Sequence, residues 1–234
     1  MRPFRRHLLL CVLALAASLT YAGEPLQVRI GYLAYIPASG PLLSNVIPEP
    51  ADAGLRGAEL AIVDSNSTGR VLKHSYQLEA TSADDSTSLL SAAKALHQQG
   101  VRLFVLNAPA ASVRQLSQAL PDSLLFNAGS ADDELRHSAC LANVLHSLPS
   151  RAMLTDALAQ FLTVHQWQRW LLISGPTEDD QAYAAALKRA AKRFGHKIVA
   201  EKAWSFDNDQ RRSAQAEMPL FTQTAEYDVV LVAD

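Results

Sequence analysis

This chain is poor in cysteine, in aromatic side chains and in surplus charge, and each shortage closes off a class of function. Its two cysteines are Cys11 and Cys140. Cys11 falls inside the N-terminal apolar run, so the rest of the chain holds one thiol and no internal disulfide. Cys140 reads as a small buried hydrophobe. Basic residues number 21 and acidic residues 23, a balance that offers no basic face to nucleic acid or to an anionic membrane. The histidines, His146, His165 and His196 among them, never fall at metal-ligand spacing. Gly54 and Gly57 have no third glycine, and neither a P-loop lysine motif nor a GxSxG elbow occurs. Asp207-Asn208-Asp209 begins like a calcium loop, but Arg211 occupies the next ligand position. No metal site is expected, and with no nucleophile–base pair in view the chain reads as a binder, not an enzyme.

What is present begins with an export signal. Arg2, Arg5 and Arg6 precede an apolar core from Leu8 to Leu19, and Thr20-Tyr21-Ala22 ends in a small residue suited to cleavage. The expectation is a signal peptide over 1–22 cut near Ala22 and a periplasmic, water-soluble product of 212 residues. Three arginines leave with it, so the product has 18 basic against 23 acidic groups, a charge of −5. No later apolar run approaches membrane length, so the product is not expected to be embedded.

The remaining chain alternates strand-like and helix-like segments. Gln27–Leu33 and Tyr76–Ala80 alternate as strands, while Val101–Leu106 is a nearly continuous apolar run, as in a strand buried on both faces. Between them the pattern predicts a helix capped by Asp52 and stopped by Asn66 and Gly69. A second helix is capped by Ser86 and ended by Gly100. A helix over 110–120, a strand at Leu124–Asn127 and a small helix at Asp132–Arg136 complete a first lobe. The beat restarts after Cys140. Asn143–His146 is extended, and Ser150 caps a helix to about Val164 whose predicted buried stripe is Leu154, Ala157, Leu158, Phe161 and Leu162. Strands at Arg169–Ile173, Lys197–Trp204 and Tyr227–Ala233 follow, with a helix from Pro176 to Phe194 and a weak one around Ala214–Thr224.

This order predicts an α/β architecture of two lobes, each a parallel sheet with helices on both faces. Lobe one spans 23–139 and lobe two 140–234. Asp234 directly follows a strand, so lobe two reads as incomplete and the chain as a fragment. Ligands of such sheets sit outside the carboxyl ends of the strands, here Gly31–Tyr35, Asn107–Pro109, Asn127–Ser130, Ser174–Thr177 and Trp204–Asp207. Tyr35, Tyr183 and Trp204 lie near those ends, placed either to stack a planar ligand or to cover the lobe cores. Trp167 and Trp170 flank the opposite end of a strand and read as packing. The run Lys188, Arg189, Lys192, Arg193, Lys197 reads as a solvated helix face.

Several stretches together resemble a known family. They are Phe126-Asn127-Ala128-Gly129-Ser130 with Asp132-Asp133, Ala142-Asn143-Val144-Leu145-His146, Pro149-Ser150-Arg151-Ala152-Met153, Ser174-Gly175-Pro176-Thr177, Ala191-Lys192-Arg193-Phe194-Gly195 and Pro219-Leu220-Phe221-Thr222-Gln223. With the element order and the signal, these resemble the type I periplasmic solute-binding proteins of ABC importers, the leucine/isoleucine/valine-binding group. Within it they look most like the branch tied to pyrroloquinoline quinone (PQQ)-dependent alcohol dehydrogenase systems. The resemblance implies a type I periplasmic-binding-protein fold that closes on a small solute and serves an inner-membrane ABC permease. It implies contacts from Asn107, Ala108, Asn127, Gly129, Ser130, His146, Ser150, Arg151, Pro176 and Tyr183, joined by the aromatics Tyr35 and Trp204. PQQ or a related solute is the expected ligand, with no cofactor required. A planar tricarboxylate wants a cation or helix N-terminal donors and a stacking ring, which Arg151 and Ser150 with Tyr183 or Trp204 supply. The amino-acid binders of the group hold a carboxylate with hydroxyl residues that the Asn107-Ala108-Pro109 loop lacks. Two alternatives stay open: a receptor or sensor subunit on the same fold, and a branched-chain amino-acid binder.

Overall fold

The computed structural model describes residues 25–37, 50, 52–204 and 217–233. The expected signal over 1–22, the Asp207–Asp209 stretch and part of the weak helix near Ala214 lie outside them. In chain order the elements are β1 (Leu26–Tyr35), α1 (Leu55–Leu72), β2 (His74–Ala83), α2 (Ser86–Gln98), β3 (Leu103–Asn107), α3 (Ala110–Ala119) and β4 (Leu124–Asn127). A 3-10 turn (Asp133–Arg136) and β5 (Val144–His146) lead to α4 (Arg151–Val164), β6 (Arg169–Ser174), α5 (Glu178–Phe194), β7 (Lys197–Ala203) and β8 (Val229–Ala233). A helical turn occupies 217–221. The alternation is as the sequence predicts, and parallel sheets with flanking helices are what it builds.

The chain divides into two compact units, Met1–Val105 and Leu106–Asp234, with the boundary inside β3. In the first, β1 and β2 pair in parallel over their whole length, Leu26 opposite His74 through Tyr35 opposite Ala83. Gly31 lies where β1 passes under the buried Phe104 ring: a Cβ there would stand 2.6 Å from that ring. In the second unit, β4 and β5 pair in parallel, and β7-β6-β8 form a separate parallel sheet of three strands. Its core is Trp170, Leu172, Leu231 and Ala233 from the strands, packed under Ala159 and Leu162 of α4 and Ala184, Leu187, Ala190 and Ala191 of α5.

Several local expectations fail for identifiable reasons. Asn66 and Gly69 do not stop α1, which runs on to Leu72. The Asn66 side chain donates to the Tyr76 carbonyl and accepts from its N–H, both at 2.8 Å, so its polar groups are satisfied by β2 without breaking the helix. Gly69 stays because a Cβ there would lie 2.7 Å from the His74 carbonyl oxygen. The N-cap of α1 is Gly54, not Asp52, whose carboxylate is held by Arg56 instead. Asp85, not Ser86, caps α2 by accepting from the N–H groups of Thr87 and Ser88. Cys140 is exposed. Trp170 is buried as packing, but Trp167 is 42% exposed.

The larger correction concerns α4. Its buried residues are Thr155, Ala159 and Leu162, whereas Leu154, Leu158 and Phe161 face outward. The basic run of α5 is likewise engaged and not merely solvated. Arg189 and Arg193 both reach the Asp156 carboxylate of α4 at 2.6 Å, and Lys188 pairs with Glu201 of β7. These pairs fix which side of α4 meets α5, and the apolar stripe falls on the other side.

Gly31→Ala is expected to cost about 1–3 kcal/mol, since the Phe104 ring has nowhere to move and overpacking of a filled core carries that penalty. A lowered urea midpoint with an unchanged slope is the reading that checks it.

Candidate functional site

The site grows from a turn that one side chain organises. Asn127 ends β4 with no solvent exposure and uses its whole hydrogen-bonding capacity. Its Oδ1 accepts from the N–H of Ser130 at 2.9 Å and of Gly129 at 3.3 Å. Its Nδ2 donates to the Ser130 carbonyl at 2.7 Å and approaches His146 Nδ1 at 3.0 Å. An asparagine suits the position because it offers an acceptor to two successive N–H groups and two donors on the other side. Gly129 follows because a Cβ there would sit 2.5 Å from the Ala108 nitrogen and 2.8 Å from Asn107 Oδ1. The ends of β3 and β4 therefore touch through this glycine, with Ala108 and Ser130 buried beside it.

His146, at the end of β5, is tied into the same turn. The Asn127 amide donates to its Nδ1, which leaves the ring proton on Nε2. Burial holds its pKa below the ordinary value. The nearby Arg136 charge lowers it further, and the Leu135 carbonyl acts weakly in the other direction. The imidazole is therefore neutral at pH 7.

From β5 the chain passes to α4, whose first turn is tied back to the strand-end segment. The N–H of Arg151 donates to the Ala131 carbonyl at 2.8 Å and that of Ala152 to Asp133 Oδ1 at 2.9 Å. The N–H of Met153 reaches Ser150 Oγ at 3.4 Å. Protein acceptors thus already serve the donors of this helix start. What remains for an anion is the guanidinium of Arg151. Its side chain is only 13% exposed, and its ion-pair partner is Asp179 in the first turn of α5, itself 85% exposed. The start of α5 is closed by a capping box between Thr177 and Asp180. Gln181 Nε2 donates to the Gly175 carbonyl at 2.6 Å, which holds the turn before exposed Pro176.

Within the second unit the fold thus brings together Asn107, Ala108, Asn127, Gly129, Ser130, His146, Ser150 and Arg151. Two expected residues stand elsewhere. Tyr183 packs against the core under α5, and Trp204 is half-buried after β7, its N–H donating to the Ser174 carbonyl at 2.9 Å. Tyr35 is half-buried at the end of β1 in the first unit. Sequence reasoning missed Asp133, Asp179 and Gln181. Asp133 escapes a local reading because it caps a different helix from its own. Among the described residues no cluster of histidine, cysteine and carboxylates is arranged for a metal, and no helix is long and apolar enough to cross a membrane.

Two outcomes follow from this geometry. A depressed histidine favours the folded state fully above its unfolded pKa near 6.5, and that contribution is lost as pH falls toward the folded value. The urea midpoint should therefore fall more steeply between about pH 7 and 5 in the parent than in His146→Gln, which lacks the titrating ring. Asp133→Ala should cost about 0.5–2 kcal/mol as a lost cap of α4, measured by the same unfolding curves.

Comparison with solved structures finds the same fold. An ABC transporter substrate-binding protein from Desulfitobacterium hafniense is 16% identical, with a TM-score of 0.64 over 89% of this chain and 58% of that one. A complex of such a protein from that organism with Leu superposes at a TM-score of 0.65, also at 16% identity over 89% of this chain and 58% of that one. A branched chain amino acid ABC transporter periplasmic ligand-binding protein from Burkholderia xenovorans LB400 is 18% identical, with a TM-score of 0.65 over 83% of this chain and 51% of that one. The chain therefore spans little more than half the length of these proteins. Comparison with curated protein sequences gives no match. The family described as periplasmic binding protein matches residues 27–231, nearly the whole described chain. With parallel sheets whose strand-end loops gather at Arg151, this chain belongs to the periplasmic binding protein family.

Proposed function

We propose that this chain is the solute-binding component of an ABC importer and that it takes a small carboxylate-bearing solute at the strand ends around Arg151. The observation that carries this reading is the placement of that one guanidinium. Its backbone is fixed to Ala131 beyond β4, and its side chain reaches the first turn of α5. A cation so sheltered, with a partner so exposed, exchanges that partner for a ligand carboxylate at little cost, because an exposed ion pair contributes about 0–1 kcal/mol. PQQ, or a related solute of PQQ-dependent alcohol oxidation, is the first candidate. It has three carboxylates to answer the guanidinium of Arg151. An inner-membrane ABC permease is the expected partner, and the periplasm its place of action.

A branched-chain amino acid is the second candidate, favoured by the Leu complex and by the Burkholderia protein described above. Against it stands the loop after β3. Asn107-Ala108-Pro109 offers no hydroxyl, and Asn127 and Ser130 spend their polar groups on the turn itself.

Isothermal titration of the purified chain with PQQ and with leucine separates the two. Binding of PQQ that weakens about tenfold or more in Arg151→Ala is the expected result, since a charge-assisted hydrogen bond contributes about 1.5–3 kcal/mol. Heat with leucine alone transfers the protein to amino-acid uptake, and PQQ affinity unchanged in Arg151→Ala removes the anion site argued here.

A further inference from the structure

The end of β5 runs beside the turn after β4, and the two segments are joined along their length. Asn127 and His146 stand opposite each other in the register of β4 and β5. Ser147 gives its N–H, at 3.0 Å, and its hydroxyl, at 3.1 Å, to the Asn127 carbonyl. Arg136 reaches across from the 3-10 turn, where its Nη2 donates to the Leu148 carbonyl. Beyond it the N–H of Arg151 meets the Ala131 carbonyl and that of Ala152 meets Asp133. Residues 146, 147, 148, 151 and 152 are thus all held by the segment 127–136, with His146 at one end and the guanidinium of Arg151 at the other.

The tie at His146 suits only a neutral ring. Its Nδ1 accepts from the Asn127 amide at 3.0 Å, and that amide is not free to turn round. Asn127 Oδ1 holds the N–H groups of Ser130 and Gly129, while Nδ2 also meets the Ser130 carbonyl. A reversed amide would set donor against donor and acceptor against acceptor. A proton on Nδ1 therefore points at a donor. Nor is the charge of an imidazolium compensated. Arg136 is the one charged group among the described residues that bears on the ring, and it repels. Its Nη1 is buried without a partner, so no carboxylate offsets it there. The other groups that face the ring are uncharged, the Leu135 carbonyl from the 3-10 turn and the Asn127 amide from β4. Burial, and then Arg136, hold the imidazole below its ordinary pKa, so it takes up its proton only as the medium turns acid.

We infer that His146 is a positioning residue for the carboxylate site, whose protonation frees the start of α4 and weakens the hold of Arg151 on an anion. This rests on Arg151 being the group that holds the anion. The sign of the effect separates two ways for a histidine to act here. A ring that touched a carboxylate would bind it more tightly once charged, whereas one that acts through the backbone before Arg151 binds it less tightly. Ligand carboxylates of ordinary pKa, near about 4, stay ionised above about pH 5, so the titration belongs to the protein.

Two measurements on the purified chain between about pH 7.5 and 5.5 test this. The first is amide hydrogen exchange without ligand, read as protection relative to the intrinsic rate at each pH. The Ser130, Arg151 and Ala152 amides are expected to lose protection on acidification in the parent and to keep it in His146→Gln. The second is isothermal titration with PQQ. Its affinity is expected to fall at least about threefold over that range in the parent and to stay level in His146→Gln. In Arg136→Gln, which removes the repelling charge, both transitions are expected at higher pH, and this variant carries the test should His146→Gln not fold by circular dichroism. Protection that falls alike in the parent and in His146→Gln overturns the inference. So does affinity that rises on acidification, or a transition that Arg136→Gln leaves in place. PQQ binding that is absent, or that ignores Arg151→Ala, while the amides respond as expected overturns the anion site and supports the coupling of His146 to α4.

Discussion

The side chain of Asn127 is the constraint on which the site depends. It is fully buried, and its four hydrogen bonds hold the turn after β4, the Ser130 backbone and the ring of His146 in one arrangement. Replacing it would strand the buried N–H of Ser130, which costs roughly 1–3 kcal/mol without a partner, and would release the longer bond from the N–H of Gly129. Aspartate is the nearest shape but lacks the donors that meet the Ser130 carbonyl and His146 Nδ1. The position thus demands an amide.

What Asn127 fixes is passed on through backbone contacts rather than through a hydrophobic interface. The turn sets Ala131 and Asp133, which receive the first N–H groups of α4, and α4 carries the three-stranded sheet beneath it. The sheltered guanidinium of Arg151 is a by-product of this chain of dependence. Its backbone is needed by Ala131, while its side chain has only an exposed carboxylate to answer. A fold that must anchor the start of a helix has in this way left a cation beside the strand ends.

Much of this was legible in the sequence. Turn residues bracket nearly every element, and the strand at Leu124–Asn127 and the helix closed by Gly195 were readable because local chemistry alone sets them. The failures came where a distant partner decides. Asn66 and Gly69 look like a helix stop until β2 supplies a partner for one and a close approach for the other. The stripe Leu154-Leu158-Phe161 has a helical period, but the period names an apolar face without saying what covers it. The threonine and alanine that α4 does bury carry less signal than the leucines it leaves out. Asp133 was invisible as a cap because it serves a helix eighteen residues further on. Tyr183 was placed correctly along the chain, yet which side of α5 it occupies depends on the sheet below.

The stack of Trp170 on His196 has an optical consequence. Trp170 is wholly buried, its ring 4.4 Å from the imidazole and inclined by 25°, with the indole N–H given to the Trp167 carbonyl. Of the three tryptophans, it alone emits from a dry site whose polarity is set by the second core. Trp167 stands in solvent, and Trp204 lies at the end of β7. The emission spectrum therefore has a blue component that reports whether the second core is intact and a red component that reports its surroundings. The two separate by wavelength, with no label added.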